Sequence, residues 1–370
     1  MNALGLVFSN IHDNSIPELT QERTMGSIPF CGRYRLVDFA LSNMVNSGIT
    51  KVGVITKSNY QSLMDHVGSG KDWDLARKQG GLRILPPFGL KDNVLYSTRL
   101  EALRGAKNFL NHSDEEYVVM TDCDTVCNMN FDDILRFHVK RNSDITIVYV
   151  KKDFSDLKDS DNNIVLNIDK GERVKDLYFN PRLQGEVDLY TNVCILKRSL
   201  LQTLIADAFS HGYSHFSHDI LARNVNNLRI YAYEHKGYFV AINSLTEYYK
   251  ESLKFLEKPV RDEIFRKVDV YTKVKDSAPT RYGASAVVKN SLIADGCVIE
   301  GTVENSIIFR GVKVGRGTVV KNSILMQGTI TGENVTLNAI ITDKSVVIKD
   351  RRVLSGCETH PFYISKNNII

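Results

Sequence analysis

The first strand of this 370-residue chain leads into a loop that has no glycine, lysine or arginine. Leu4-Gly5-Leu6-Val7-Phe8 is short, apolar and bounded by polar residues, the pattern of a buried strand. Glycines after such a strand let backbone N–H groups close on phosphate. Here Ser9-Asn10-Ile11-His12-Asp13-Asn14-Ser15-Ile16 follow instead, which excludes an ordinary phosphate cradle. Other absences are equally informative. The six cysteines (31, 123, 127, 194, 297 and 357) show no CxxC spacing, so they read as reduced thiols of a cytoplasmic protein. No apolar run approaches the ~20 residues needed to span a bilayer. Met1-Asn2-Ala3-Leu4 lacks the basic start and apolar stretch of a signal peptide, so no membrane association is expected. No basic run is interleaved with aromatics, and a net charge of +4 is too weak for nucleic acid, though it suits anionic small molecules.

What is present points to two domains. Over the first two thirds, strand-like segments (51–56, 116–121 and 144–150) alternate with helical ones (38–47, 99–110 and 131–141). Such alternation predicts a mostly parallel sheet with helices on both faces, and ligands bind outside the carboxyl ends of its strands. That rim would hold residues 9–15 and 122–124. Residues 245–269 read as a connecting helix and linker. From about Ala284 short β-branched runs alternate with glycine and asparagine, and a phrase recurs: Asn290-Ser291-Leu292-Ile293, Asn305-Ser306-Ile307-Ile308, Asn322-Ser323-Ile324-Leu325 and Asn338-Ala339-Ile340-Ile341. A period of roughly 16–18 residues built from sixes fits a three-sided parallel β-helix, one coil per period. The expected division is an α/β domain over 1–245, a connector over 246–283 and the β-helix over 284–370. Solenoids leave an open end and a flat wall, so oligomerisation is expected.

The segment Phe30-Cys31-Gly32-Arg33-Tyr34-Arg35-Leu36-Val37-Asp38-Phe39-Ala40-Leu41-Ser42-Asn43 resembles the FGGKYRIIDFALSN segment of bacterial glucose-1-phosphate adenylyltransferases (ADP-glucose pyrophosphorylases). Phe216-Ser217-His218-Asp219-Ile220 is similar to their FGHDI, and Phe309-Arg310-Gly311-Val312-Lys313-Val314-Gly315 to their solenoid phrase. The resemblance covers nearly the whole chain. It implies a Rossmann-like, GT-A-type nucleotidyltransferase domain followed by a left-handed hexapeptide-repeat β-helix. It also implies chemistry in which glucose 1-phosphate attacks the α-phosphorus of ATP with Mg²⁺ present, for glycogen synthesis.

The residues on which that chemistry rests depart from the family. Against the loop GGxGTRL stand Asn10, Ile11 and Asp13 for the glycines and Ser15 for the arginine. β-Branched Ile11 suits positive φ poorly, and Asp13 would repel a triphosphate. Met25 replaces the lysine of KPA, and Asn180 the sugar-phosphate lysine. Arg99 and Leu100 replace small residues beside the adenine and are expected to fill the nucleotide's space. Of two Mg²⁺-holding aspartates, Asp124 remains and the other is Ala241. No functional catalytic residue is therefore expected.

Other clusters are weaker. Asp122 is expected to bond its own backbone at a strand end. His211, His215 and His218-Asp219 have spacing compatible with a metal, but their end falls on a segment without metal duty in the family, so local packing is expected. Arg33 aligns with a lysine that helps bind an anionic effector; Arg33 and Arg35, and less so Arg351 and Arg352, are candidates for such a site. The resemblance implies a D-type, regulatory subunit, with no cofactor required. It would activate a catalytic glucose-1-phosphate adenylyltransferase paralogue in a mixed tetramer and answer to a sugar-phosphate or phosphate effector. The alternative is a working enzyme making ADP-glucose with Mg²⁺. A solenoid acyltransferase is disfavoured, because the one histidine after Ala284, His360, lies beyond the repeats.

Overall fold

A computed structural model describes residues 2–87, 96–156 and 163–370. A nine-stranded sheet forms the centre of the N-terminal lobe. The strands Tyr117–Asp122, Ala3–Phe8, Lys51–Ile55 and Gly81–Leu85 lie side by side and parallel. The other half of the sheet departs from the parallel expectation. Glu186–Lys197 runs antiparallel to both Tyr117–Asp122 and Ile145–Asp153, with an irregularity between Tyr190 and Cys194. Cys194, Ile195 and Leu196 pair with Tyr117–Asp122 on one edge and with Ile145–Asp153 on the other. The antiparallel direction of this strand makes the sheet mixed.

The opening strand is buried throughout. Leu4, Leu6 and Phe8 face one core, shared with Leu100, Leu103 and Leu201, while Ala3 and Val7 face another with Leu41, Met44 and Trp73. Alternation across a sheet covered on both sides accounts for the unbroken apolar run. Gly5 is required by a close approach: a Cβ there would lie 2.7 Å from Met44 Sδ.

Two expected helices are broken. The one expected over 99–110 forms as Arg99–Gly105 and Lys107–Asn111, hinged at Ala106. The connector forms as Leu245–Lys254 and Lys258–Phe265. Pro259 enters at the start of the second helix, where its missing N–H costs nothing.

Five coils of parallel strands follow from Arg281, stacked into three five-stranded sheets as expected of the β-helix. The recurring phrase forms its corners. Asn290, Asn305 and Asn322 take φ between 42° and 46°, a left-handed conformation that asparagine tolerates. Ser291, Ser306 and Ser323 accept bonds from the N–H groups of Ser306, Ser323 and Ile340, at 3.0–3.1 Å, a ladder running between coils. In the fourth coil the register differs by one residue from the phrase in the sequence. Ile341 pairs with Ile324, so Ala339, at φ 52°, occupies the asparagine corner.

The lobes share a core. Ile16, Met25, Phe30 and Phe39 pack with Tyr248 and Phe255 of the connector and with Ile307, Phe309, Ile324 and Ile341 of the solenoid. At its edge Arg23 Nη2 donates to both carboxylate oxygens of Asp343 at 2.8 Å, and both residues are buried.

Candidate functional site

Parallel pairing sets Phe8 beside Asp122, so the loop after the first strand and residues 122–124 share one rim. The loop's shape comes from side chains. No residue from 9 to 16 has positive φ. Asn10 Oδ1 accepts from Ser9 Oγ (2.8 Å) and from the Lys57 N–H (2.9 Å), while its Nδ2 donates to Asp13 Oδ2 (2.6 Å). Asp13 Oδ1 accepts from the Met25 N–H at 2.7 Å. Asp13 therefore braces the loop, and it is absent from the walls of the hollows described below. Burial raises its pKa to about 6, against the opposing bonds from Asn10 and Met25.

Above this brace sits a buried charge cluster. Arg99 Nη2 donates to Asp122 Oδ1 at 2.5 Å, and the guanidinium lies 4.9 Å from the Phe8 ring centroid. His12 Nε2 lies 2.8 Å from Asp122 Oδ2 and 3.5 Å from Asp124 Oδ2. Burial alone would lower the His12 pKa, but Asp124 and Asp122 outweigh it and raise it to about 9. Two cations thus face two carboxylates. The Asp122 carboxyl is held below the usual range: burial pushes it up, but Arg99 and His12 prevail. Asp124 goes the other way, raised by burial and by Asp122 against His12. Asp124 Oδ1 is buried with no hydrogen-bond partner among the described residues. Asp122 does not cap its own turn as expected, because Arg99 and His12 claim both its oxygens.

Two adjoining hollows of about 420 and 540 Å³ open beside the cluster. His12, Asn163, Ile164 and Asn192 line both. Ser15, Ala241 and Asp124 line the first; Ile11, Asn180 and Arg99 line the second. Arg99 is the one lysine or arginine among the described lining residues, and Asp122 binds it. Four of the expected pocket residues lie elsewhere, Asn10 and Asp13 in the loop brace and Met25 and Leu100 in the cores. Met25 and Leu100 are fully buried in apolar cores, so neither projects into a hollow. His211 and His218 bond to their neighbours Asp207 and Asp219, and no described metal-ligand grouping contains them.

The resemblance implies Mg²⁺ here, and the donors do not suit it. Mg²⁺ prefers six oxygens at about 2.0–2.1 Å. Ala241 offers a methyl where the second aspartate would stand, and the nearest partner of Asp124 is an imidazole nitrogen. His12 is the site residue that sequence reasoning missed. Its signal was present, since a loop leaving the strand paired with Asp122 must pass over that carboxylate.

The basic candidates separate. Arg33 is exposed against the Tyr34 ring, and Arg351 and Arg352 are exposed at the far end of the solenoid. Arg35 is half-buried, donates from Nη1 to the Ser62 carbonyl at 2.5 Å, and has its pKa lowered to about 10 by burial. It faces a group that sequence reasoning missed. Lys344 is lowered to about 7 by burial and then by Arg35 and Arg23. Lys275 is lowered by burial and then by Arg310 and Arg35. These cations converge on the seam between lobes from segments too far apart in sequence to be joined by spacing.

The family described as "Nucleotidyl transferase" matches residues 16–258, and that described as "GlmU-like, C-terminal hexapeptide" matches 275–365. The chain is 35% identical over 364 residues to the "Glycogen biosynthesis protein GlgD" of Bacillus subtilis, covering 98% of this chain and 95% of that protein. It is 37% identical to the protein of the same name from Geobacillus stearothermophilus, over 86% of this chain and 82% of the relative. The "Glucose-1-phosphate adenylyltransferase" of Thermosipho africanus is 31% identical, over 86% and 78%. No described helix is long and apolar enough to cross a membrane. With a nucleotidyltransferase lobe, a hexapeptide solenoid and these relatives, the chain belongs to the GlgD-type family of glycogen biosynthesis proteins, related to the glucose-1-phosphate adenylyltransferases.

Proposed function

We propose that this chain is a regulatory subunit, silent or very weak in catalysis by itself, that assembles in the cytoplasm with a catalytic glucose-1-phosphate adenylyltransferase paralogue and raises its activity. One observation carries this reading. The only arginine in the described lining of the cleft is bound to Asp122, and the His12 cation faces Asp122 and Asp124, so both are already paired with carboxylates and neither is free for a departing pyrophosphate. Losing one preorganised charge-stabilising donor costs roughly 2.7–4 kcal/mol of barrier. Ser15, Met25, Asn180 and Ala241 stand at four such positions, and even without additivity most of the rate would be lost.

Assembly has physical support on the solenoid wall. Coil pairing stacks Val287, Thr302, Val319, Thr336 and Val353 into one outward row, and Val287 and Val353 are 44% and 74% exposed. A β-branched strip of this kind favours a partner protein. Activation then follows from contacts that favour the partner's competent state. The crowded cations Arg35, Lys275 and Lys344 suit a phosphate or sugar-phosphate effector, whose binding would relieve their mutual repulsion.

The test is ADP-glucose formation by the purified chain, by the paralogue and by their mixture, with Mg²⁺. Silence alone and enhancement on mixing is the expected result. Substantial turnover by the chain alone would establish the enzyme reading, which the retained Asp124 and the persisting hollows favour.

A further inference from the structure

We infer that His12, Asp122 and Asp124 form a binding site for a divalent transition metal that accepts mixed nitrogen and oxygen donors, with Zn²⁺ as the fitting ion. The inference is independent of the regulatory reading and goes beyond it. One ligand atom from each of the three residues can be chosen so that all lie within 4.8 Å of one another. His12 Nε2 is 2.8 Å from Asp122 Oδ2 and 3.5 Å from Asp124 Oδ2. Two ligands held about 2.0–2.1 Å from a tetrahedral zinc stand roughly 3.3 Å apart, which falls within that spread. Admitting the ion requires His12 Nε2 and Asp122 Oδ2 to move apart from 2.8 Å to roughly 3.3 Å.

A second observation points the same way. Asp124 is 3% exposed, and its Oδ1 has no hydrogen-bond partner among the described residues. A buried carboxylate oxygen without a partner is destabilising unless a cation or a donor reaches it. Asp124 and His12 both line the hollow of about 420 Å³, which gives an ion a way in and leaves room for a fourth ligand such as water. The remaining oxygen of Asp122 is held by Arg99, the kind of outer contact that fixes a metal-binding carboxylate in place.

The donor chemistry selects the ion. Imidazole with two carboxylates suits Zn²⁺ and its neighbours in the first transition row, whereas Mg²⁺ favours oxygen alone. Binding would displace the proton shared by His12 and Asp122 into solvent, as metal binding to histidine requires. The bound ion would tie the loop after the first strand to the end of the strand beside it. The site would thus be a metal staple across the cleft floor.

The experiment is equilibrium dialysis of the full chain against Zn²⁺ and separately against Mg²⁺, with metal counted by mass spectrometry, and titration with Co²⁺ followed by visible absorption. One Zn²⁺ per chain, little Mg²⁺ and the intense visible bands of four-coordinate Co²⁺ are expected. Changing an outer-shell partner already weakens metal sites roughly 10–100-fold. His12→Gln and Asp124→Asn should therefore each weaken Zn²⁺ by about 100-fold or more and abolish the Co²⁺ bands. A variant with His211, His215 and His218 all changed to alanine should bind as the parent does. Circular dichroism identifies any variant that fails to fold, and the Co²⁺ spectrum of the unaltered chain stands without the variants. Absence of Zn²⁺ and of Co²⁺ bands in the unaltered chain, equal affinity in folded His12→Gln, or tighter Mg²⁺ than Zn²⁺ would each overturn the inference.

Discussion

Replacing Arg23 by methionine should destabilise the whole chain through one buried ion pair. Arg23 and Asp343 are 2% and 3% exposed, and Nη2 reaches both carboxylate oxygens at 2.8 Å. Asp343 also accepts from the Lys344 N–H at 2.6 Å and from the Tyr363 hydroxyl at 3.0 Å. In Arg23→Met those two donors remain but the cation is lost. Removing one partner of a buried pair costs about 3–5 kcal/mol, because the other charge is left without compensation. Two features place the expected loss near 3. The remaining donors still serve the carboxylate, and Lys344 is relieved of Arg23's repulsion and can carry more charge beside it. Asp343→Leu should cost a similar amount. The double variant, which removes both charges, should cost less than the sum by about 2 kcal/mol, within the usual range for contacting residues. Urea unfolding followed through buried Trp73 in the N-terminal lobe reads the effect, although Asp343 lies in the solenoid. Arg23→Met within 1 kcal/mol of the parent, or strict additivity in the cycle, would refute the claim that this pair couples the lobes.

The remaining predictions concern pH, the serine ladder and the cleft. Lys344 has a folded pKa of about 7, below its unfolded value, so the unfolded chain binds more protons between about pH 7 and 10 and stability rises with pH there. Lys344→Met should therefore stabilise most below pH 7, by roughly 2 kcal/mol once solvent screening is allowed for, with the gain fading towards pH 10; denaturant midpoints at pH 6 and 9.5 test this. Ser323→Ala strips the buried Ile340 N–H of its acceptor and should cost about 1–3 kcal/mol, while half-buried Ser291→Ala should cost less, as thermal melts would show. Asn180→Lys places a cation in the cleft wall without disturbing the core and should tighten inorganic pyrophosphate binding measurably by calorimetry. Met25→Lys should instead destabilise by several kcal/mol, because its side chain lies in the shared core.

The legible and illegible parts of this molecule divide along a physical line. The β-helix could be read because each coil repeats the same local demands: an inward β-branched residue, a left-handed corner and a serine to cap the next coil. The one-residue shift at Ala339 escaped because alanine there breaks the phrase without breaking the corner geometry. Three of the four strands in the parallel half, Ala3–Phe8, Lys51–Ile55 and Tyr117–Asp122, were legible from their apolar runs, whereas Gly81–Leu85 was not read and the antiparallel strand Glu186–Lys197 carries no local mark of its direction. Strand direction depends on connections, which composition does not encode.

The cleft shows the same limit more sharply. Comparing the loop with a glycine-rich one locates what is missing, but it assumes the backbone path is kept. The path is not kept: without glycines, residues 9–16 avoid positive φ, and Asn10 and Asp13 build a side-chain brace in place of a backbone cradle. Asp13 therefore turns inward, away from the place where it would repel a triphosphate, and His12 comes to rest over the two aspartates. Arg99 completes the change, because an arginine facing Asp122 in a dry site is worth more paired than free. His12, Arg99 and Asp122 are thus best understood together. Each alone would leave a buried charge uncompensated, and their joint presence marks a cleft built around its own ions, with phosphate no longer needed to balance them.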